Sequence, residues 1–151
     1  MKTVLIACVM GLAVACGPAV PAPAELTTGQ EACAFCRMSV SQPEFASQVV
    51  SPGELPLFFD DLGCLNNYLT VTYDPAPETV IYVTDHASRA WVRADNALFS
   101  RVAGASTPMG SHLVAHASAE SRASDVAAAG AAPVAVDVVI PPEWQVKGRR
   151  P

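Results

Sequence analysis

A short turn between two apolar segments constrains the fold of this chain more than any other feature of its sequence. The turn reads Ser-Pro-Gly-Glu over residues 51–54, and proline with glycine is typical of a chain reversal. Residues 45–50 and 55–60 on either side have the composition of strands. The Asp60-Asp61 pair can then cap a helix over residues 62–69. The order predicts a strand, a second strand and a helix.

A comparable set of elements is predicted in the second half of the chain. It comprises a strand rich in β-branched residues over 79–84, a returning strand over 90–93, a short helical segment over 95–102, a long alanine-rich helix over 111–129 and a final strand over 134–140. The predicted fold class is therefore α+β, with two strand-strand-helix-strand-like units and mainly antiparallel sheet.

The amino terminus has the pattern of a lipoprotein export signal. Lys2 precedes an apolar run over residues 4–14, which is too short to span a bilayer and fits a secretory leader. Residues 13–16, Ala-Val-Ala-Cys, resemble the lipobox of bacterial lipoproteins, so Cys16 is the residue expected to carry lipid. A soluble periplasmic protein cut nearby is the alternative. We predict a signal peptide over 1–15, a lipidated cysteine and extended Pro/Ala tether over 16–30, a folded domain over 31–140 and a disordered tail over 141–151.

The charge of the chain excludes one class of partner. The net charge is −5, and loss of Lys2 with the leader gives −5 − 1 = −6 for the mature chain. An acidic chain without a basic stripe argues against nucleic-acid binding. Membrane contact would depend on the lipid. The expected location is the cell envelope, with the lipid in the outer membrane and the domain facing the periplasm.

Sulfur is concentrated in one short segment, Cys33-Ala-Phe-Cys-Arg-Met38. If the segment is extended, Cys36 and Met38 point to the same face, and Cys33 can join them across a turn. Without the leader, the chain keeps only one other methionine, Met109, in a Thr-Pro-Met-Gly turn. Thiolate with thioether is a ligand set that favours monovalent copper over zinc.

Other uses of these cysteines remain open. The Cys33–Cys36 spacing also fits a structural disulfide, half of a zinc site or a redox pair. Cys64 follows the predicted helix start, where we expect a buried structural residue beyond the reach of the cysteine pair. With Cys8 and Cys16 removed or lipidated, three cysteines remain, and that odd number is incompatible with complete pairing within one chain.

Two histidines extend the possible ligand set. If residues 109–116 are helical, His112 and His116 share a face with Met109. His112 is therefore a candidate ligand, whereas a solvent-exposed helix face is the simpler interpretation of His116.

The sequence resembles the NosL family, the lipoprotein copper chaperones of the nitrous oxide reductase system, over residues 33–130. The matching segments are Cys-Ala-Phe-Cys-Arg-Met at 33–38, Phe-Ala-Ser-Gln-Val-Val at 45–50, Phe-Phe-Asp-Asp-Leu-Gly-Cys at 58–64, Tyr-Val-Thr-Asp at 82–85, residues 91–94 and Thr-Pro-Met-Gly-Ser at 107–111. Many members of the family have glycine where this chain has Arg37.

The resemblance implies a non-enzymatic chaperone that binds Cu(I) through Cys36, Met38 and Met109, with the role of Cys33 less constrained. It implies delivery to apo nitrous oxide reductase or to its ABC-transporter assembly machinery during denitrification. The alternatives are a zinc-stabilised interaction module that uses Cys33, Cys36, Cys64 and a histidine, a thiol oxidoreductase or organometal lyase, and a copper chaperone for another cuproenzyme such as cytochrome oxidase.

Overall fold

The computed structural model describes residues 20–71 and 76–147. The predicted signal peptide and Cys16 therefore lie outside the described residues. Within the described ranges, no helix has both the length and the apolar character needed to cross a membrane.

The fold is built on two antiparallel sheets. The first has the strand order β2-β1-β3-β4 and the second β6-β5-β7. The strands are β1 Ser47–Val50, β2 Leu57–Phe59, β3 Val80–Thr84, β4 Trp91–Arg93, β5 Leu98–Arg101, β6 Leu113–His116 and β7 Ala132–Val134. The helices are α1 Leu62–Val71, α2 Ala119–Ser124 and α3 Pro142–Lys147, with single 3-10 turns at Pro43–Phe45, Val126–Ala128 and Val136–Val138. The predicted α+β class with mainly antiparallel sheet is confirmed.

The chain contains two strand-strand-helix-strand units, as predicted, but the second begins later than expected. In the first unit, β1 pairs with both β2 and β3, and α1 connects β2 to β3. In the second unit, β5 pairs with both β6 and β7, and α2 lies between them in sequence. The predicted strand at 79–84 therefore completes the first unit instead of opening the second.

One apolar core joins both sheets to α1. Phe59, Leu65 and Val83 come from the first unit, whereas Phe99 and Leu113 come from the second, and all five are buried in the same cluster. The two units are also linked through their backbones, because a parallel bridge pairs Asp85 with Ala115. The core therefore fixes the position of β6 relative to the first sheet.

Two predictions for the second half are wrong. In place of the expected alanine-rich helix over 111–129, the structure has β6 followed by a short helix, α2. The Ser118 side chain caps the N-terminus of α2. All four residues of β6 are buried and paired with β5, so burial and pairing outweigh the helix propensity of alanine. The expected helical segment over 95–102 contains that partner strand, and the expected strand over 134–140 is a strand end followed by a 3-10 turn.

Both predicted terminal extensions contact the folded domain. Ala24 exchanges two backbone hydrogen bonds with the Gln48 side chain, at 2.8 and 3.1 Å, so this part of the predicted tether is extended but bound to β1. At the other end, α3 buries Trp144, whose indole N–H donates to the Leu69 carbonyl at 2.9 Å. The prediction of a disordered tail from residue 141 is therefore wrong for α3, because an indole buries a large apolar area.

Candidate metal centre

The Cys33–Met38 segment forms a closed loop instead of the extended strand that the sequence suggested. The Cys33 N–H donates to the Met38 carbonyl at 2.7 Å, and the Arg37 N–H donates to the Cys33 carbonyl at 3.0 Å. Arg37 has φ of 67°, in the left-handed region that favours glycine. The argument from strand alternation, that Cys36 and Met38 share a face, therefore rests on a wrong local conformation.

The loop is anchored where the first sheet leads into α1. β2 is an edge strand, and its Phe58 carbonyl accepts a hydrogen bond from the Ala34 N–H at 2.8 Å. Asp60 follows this strand immediately, and Cys64 lies in the first turn of α1. The edge strand therefore brings a loop about 25 residues earlier in the chain onto the start of the helix.

Three cysteines and one carboxylate converge at this point. The ligand atoms of Cys33, Cys36, Asp60 and Cys64 all lie within 4.8 Å of one another. The three cysteines are free thiols, and all but Cys36 of the four residues are buried. Cys36 is partly exposed, and its Sγ lies 3.4 Å from Asp60 Oδ2, as a thiol donating to a carboxylate. Sequence reasoning expected Cys64 to be buried and out of reach, and grouped it with the cysteine pair only in the zinc alternative. It assigned Asp60 only a capping role.

The electrostatics of the cluster favour the protonated form of the Cys36 and Cys64 thiols. Burial raises the pKa of Cys64 strongly, and the neighbouring Cys33 and Asp60 raise it further. Burial also raises the pKa of Cys36, although the Met38 backbone N–H partly opposes this by donating to the sulfur. Asp60 Oδ1 is buried without a hydrogen-bond partner. Three thiols beside an unsatisfied carboxylate oxygen form a donor set that fits a soft metal ion, and binding would release protons.

Met109 is held at the start of α1, the helix that carries Cys64, by the second aspartate of the pair. Its backbone N–H donates to Asp61 Oδ2 at 2.9 Å, while Asp61 Oδ1 accepts from the Gly63 N–H at 2.6 Å. Burial raises the pKa of Asp61, but hydrogen bonds from Ser111, Met109 and Gly63 outweigh it and leave the pKa lowered. Asp61 therefore caps α1, as predicted, and also fastens the Met109 turn to it.

The turn packs closely on the start of α1. A Cβ added at Gly63 would lie 3.0 Å from both Ser111 Cβ and Asp61 Oδ1, so a larger residue at this position would displace the turn. The thioether side chains of Met38 and Met109 are 55% and 46% exposed. Large apolar side chains are usually buried. The exposure of these two methionines therefore leaves them available to a metal or a partner at the surface.

The histidines do not form the predicted stripe with Met109. His112 has φ of 58°, and its Nδ1 lies 2.7 Å from the Ala105 carbonyl oxygen. His116 is fully buried at the end of β6, with its Nε2 at 2.9 Å from Asp125 Oδ2. The shared helical face is absent because β6 replaces the helix, and the exposed-face interpretation of His116 is wrong. Metal ligation by His112 stays a prediction.

A known protein family matches most of the chain. A family model described as NosL matches residues 23–139 of the 151-residue chain, and it includes every residue of the cysteine cluster as well as both exposed methionines. No match was found among curated proteins or among solved structures. Membership of this family is consistent with a copper-binding protein, and the family is chaperone-like and not known for enzymatic activity.

Proposed function

The chain belongs to the NosL family, and from this premise we propose that it is a metallochaperone that binds Cu(I) and delivers it for assembly of the copper centre of nitrous oxide reductase. The observation that supports the proposal most strongly is the gathering of three free thiols and the Asp60 carboxylate within 4.8 Å. Two exposed thioethers belong to the segments that form and flank this cluster. Soft sulfur donors favour Cu(I).

Cys36 is the residue that connects the buried and exposed parts of this centre. It is the partly exposed thiol of the cluster, so copper held by Cys36 is within reach of ligands from another protein. We assign Cys36, Met38 and Met109 as the ligands on the solvent side. Cys33 and Cys64 are buried and supply further thiols to Cys36. One thiolate with two thioethers carries little net charge, which suits a site that must release its metal by ligand exchange.

Copper loading is coupled to loss of the thiol proton. Because burial raises the pKa of Cys36, the residue enters the reaction as a thiol, and forming the copper–sulfur bond expels its hydrogen as a proton. Asp60 Oδ2 accepts the hydrogen bond from this thiol and is placed to receive that proton. Transfer to the client reverses the step: client thiolates or thioethers replace the chaperone's ligands, and Cys36 is reprotonated.

The cellular setting of this proposal comes from the sequence. A lipid on Cys16 would hold the domain at the periplasmic face of the envelope, with the outer membrane as the expected location. The client would be apo nitrous oxide reductase or its ABC-transporter assembly machinery. Delivery during denitrification, by a binding protein without catalytic turnover, is the function that these features favour.

A competitive titration tests the copper assignment. Reduced protein would be titrated with Cu(I) against a chromophoric Cu(I) chelator, and the Cys36→Ser, Met38→Leu and Met109→Leu variants compared with an Asp137→Ala control at an exposed carboxylate. The proposal predicts weaker binding in all three variants and unchanged binding in the control. Equal affinity in the wild type and all three variants would remove these residues from the site.

A zinc-stabilised interaction module is the second candidate, because three buried or half-buried thiols and a carboxylate also make a four-ligand set that zinc accepts. A structural zinc site predicts that a zinc chelator unfolds the protein. It also predicts that Met38→Leu has no effect on metal affinity. The copper proposal predicts the opposite result for both measurements.

A further inference from the structure

A second group of potential metal ligands contains no cysteine and includes His116, the last residue of β6. His86 Nδ1 lies 2.5 Å from Asp125 Oδ2, and His116 Nε2 lies 2.9 Å from the same oxygen. The three ligand atoms are all within 4.8 Å of one another. The cluster shares no residue with the cysteine centre.

Two of the three residues, His86 and Asp125, are held in place by further contacts outside the cluster. The His86 backbone N–H donates to the Ala115 carbonyl at 2.8 Å, and its ring lies 5.2 Å from the Phe45 ring, centroid to centroid. Asp125 Oδ1 accepts the backbone N–H groups of Ala127 and Ala128. The other carboxylate oxygen, Oδ2, is therefore the one that faces both imidazole rings.

The burial of His116 is not explained by hydrogen bonding alone. Its side chain is fully buried, and its Nδ1 has no hydrogen-bond partner. A buried polar atom without a partner is costly, so the interactions of the other ring nitrogen, Nε2, have to offset the cost of burying this ring. Imidazole nitrogens and carboxylate oxygens are zinc ligands. A cation placed between the two rings and the carboxylate oxygen would take the place of the hydrogens that now join them.

We propose that His86, His116 and Asp125 form a second metal site, for a divalent ion of the zinc class, through Nδ1, Nε2 and Oδ2 respectively. Two imidazoles with one carboxylate form a harder ligand set than thiolates with thioethers, so this site should favour zinc-class divalent ions and not Cu(I). The side chain of His86 is 11% exposed, whereas that of His116 is fully buried. Entry of the ion is therefore from the His86 side.

The geometry requires only a small adjustment. Ligand atoms around tetrahedral zinc are about 3.3 Å apart, from bond lengths of about 2.0–2.1 Å. The two contacts to Asp125 Oδ2 are 2.5 and 2.9 Å, so each must lengthen by less than about 1 Å. Each neutral ring presents a lone pair to the ion by carrying its proton on the other nitrogen. In His116 that nitrogen is Nδ1, which has no hydrogen-bond partner and so does not fix the ring in the opposite tautomer.

Ring-nitrogen NMR of the full chain, titrated with zinc chloride, distinguishes this site from the cysteine cluster. The resonances of the His86 and His116 rings should move to positions typical of metal-bound imidazole, while those of His112, the remaining histidine, should not. Unchanged His86 and His116 resonances at a large molar excess of zinc would overturn the proposal and leave a hydrogen-bonded structural cluster.

Zinc stoichiometry in variants provides the second measurement. His86→Gln is preferred because the residue is partly accessible, and thermal unfolding confirms that the variant is folded. The variant should bind one equivalent of zinc fewer than the wild type, and His112→Gln, the matched control, should bind the same amount. Equal stoichiometry in His86→Gln and wild type would contradict the proposal, whichever metal the cysteines bind.

Discussion

Asp60 and Asp61 are adjacent in the chain, yet their carboxylates hold two different parts of the candidate metal centre. Asp60 Oδ2 accepts from the Cys36 thiol at 3.4 Å, and Asp61 Oδ2 accepts from the Met109 backbone N–H at 2.9 Å. Both side chains are buried. One dipeptide at the start of α1 therefore positions sulfur ligands that are 73 residues apart in sequence, from Cys36 to Met109.

Replacing Asp61 should weaken both the fold and copper binding. Asp61→Ala removes the buried acceptor for the Gly63 and Met109 N–H groups, and loss of a charged acceptor for partly buried donors costs about 1–3 kcal/mol. The free energy of unfolding, measured by urea denaturation, should fall by that amount. Cu(I) affinity should fall as it does in Met109→Leu. Asp137→Ala, at an exposed carboxylate, is the control and should change neither quantity.

Acid should destabilise the protein partly through Asp85. Burial raises the pKa of this carboxyl, but hydrogen bonds from Ser121, Ala117 and Ser88 outweigh it and lower the pKa from 3.8 to about 2. The folded pKa lies below the unfolded one, so the stabilisation is complete above about pH 4 and is lost as the pH falls toward about 2. Its size is about 2 kcal/mol.

The Asp85→Asn variant checks this pH dependence. Urea unfolding across the acid range should show a smaller loss of stability for the variant than for the wild type. If both proteins lose the same free energy between about pH 5 and about pH 2, Asp85 is not the group responsible. Its hydrogen bonds to the Ala117 and Ser121 segment would then have to be independent of its charge.

The three thiols should differ in their reactivity. Cys36 is partly exposed, whereas Cys33 and Cys64 are buried, and burial raises the pKa of Cys64 strongly. Timed alkylation of the folded, metal-free protein, followed by peptide mass spectrometry, should therefore modify Cys36 first. Addition of Cu(I) should protect it. Modification of Cys64 at the same rate as Cys36 would show that the cluster is open in solution.

Glycine at position 37 should stabilise the loop. Arg37 has φ of 67°, a conformation that costs a residue with a Cβ about 1 kcal/mol or more. Arg37→Gly should raise the free energy of unfolding by about 1 kcal/mol relative to Arg37→Ala, since both variants remove the charge but only one removes the Cβ. Equal stabilities of the two variants would refute the assigned backbone conformation.

The first unit could be predicted from the sequence because its signals are local. The Pro-Gly turn, the β-branched segment that became β3 and the aspartate pair before α1 each specify a structure by themselves, and the observed elements agree within a few residues. The second unit could not, because the segment of β6 contains alanine and histidine, and becomes a strand only by pairing with β5.

The candidate site was predicted incompletely for a similar reason. Cys33, Cys36, Met38 and Met109 stand out as sulfur residues in unusual positions. The approach of Cys64 and Asp60 depends on the hydrogen bond from Ala34 to the Phe58 carbonyl at the sheet edge, which no local pattern encodes. The His86–Asp125 contact joins residues 39 positions apart, and likewise follows only from the packing of the two units.

X-ray absorption at the copper edge of the Cu(I)-loaded protein tests the central claim most directly. Our account predicts monovalent copper with sulfur neighbours only, and fewer sulfur neighbours in Met109→Leu than in the wild type. A first shell dominated by nitrogen or oxygen, or an unchanged sulfur shell when both Met38 and Met109 are replaced by leucine, would contradict it.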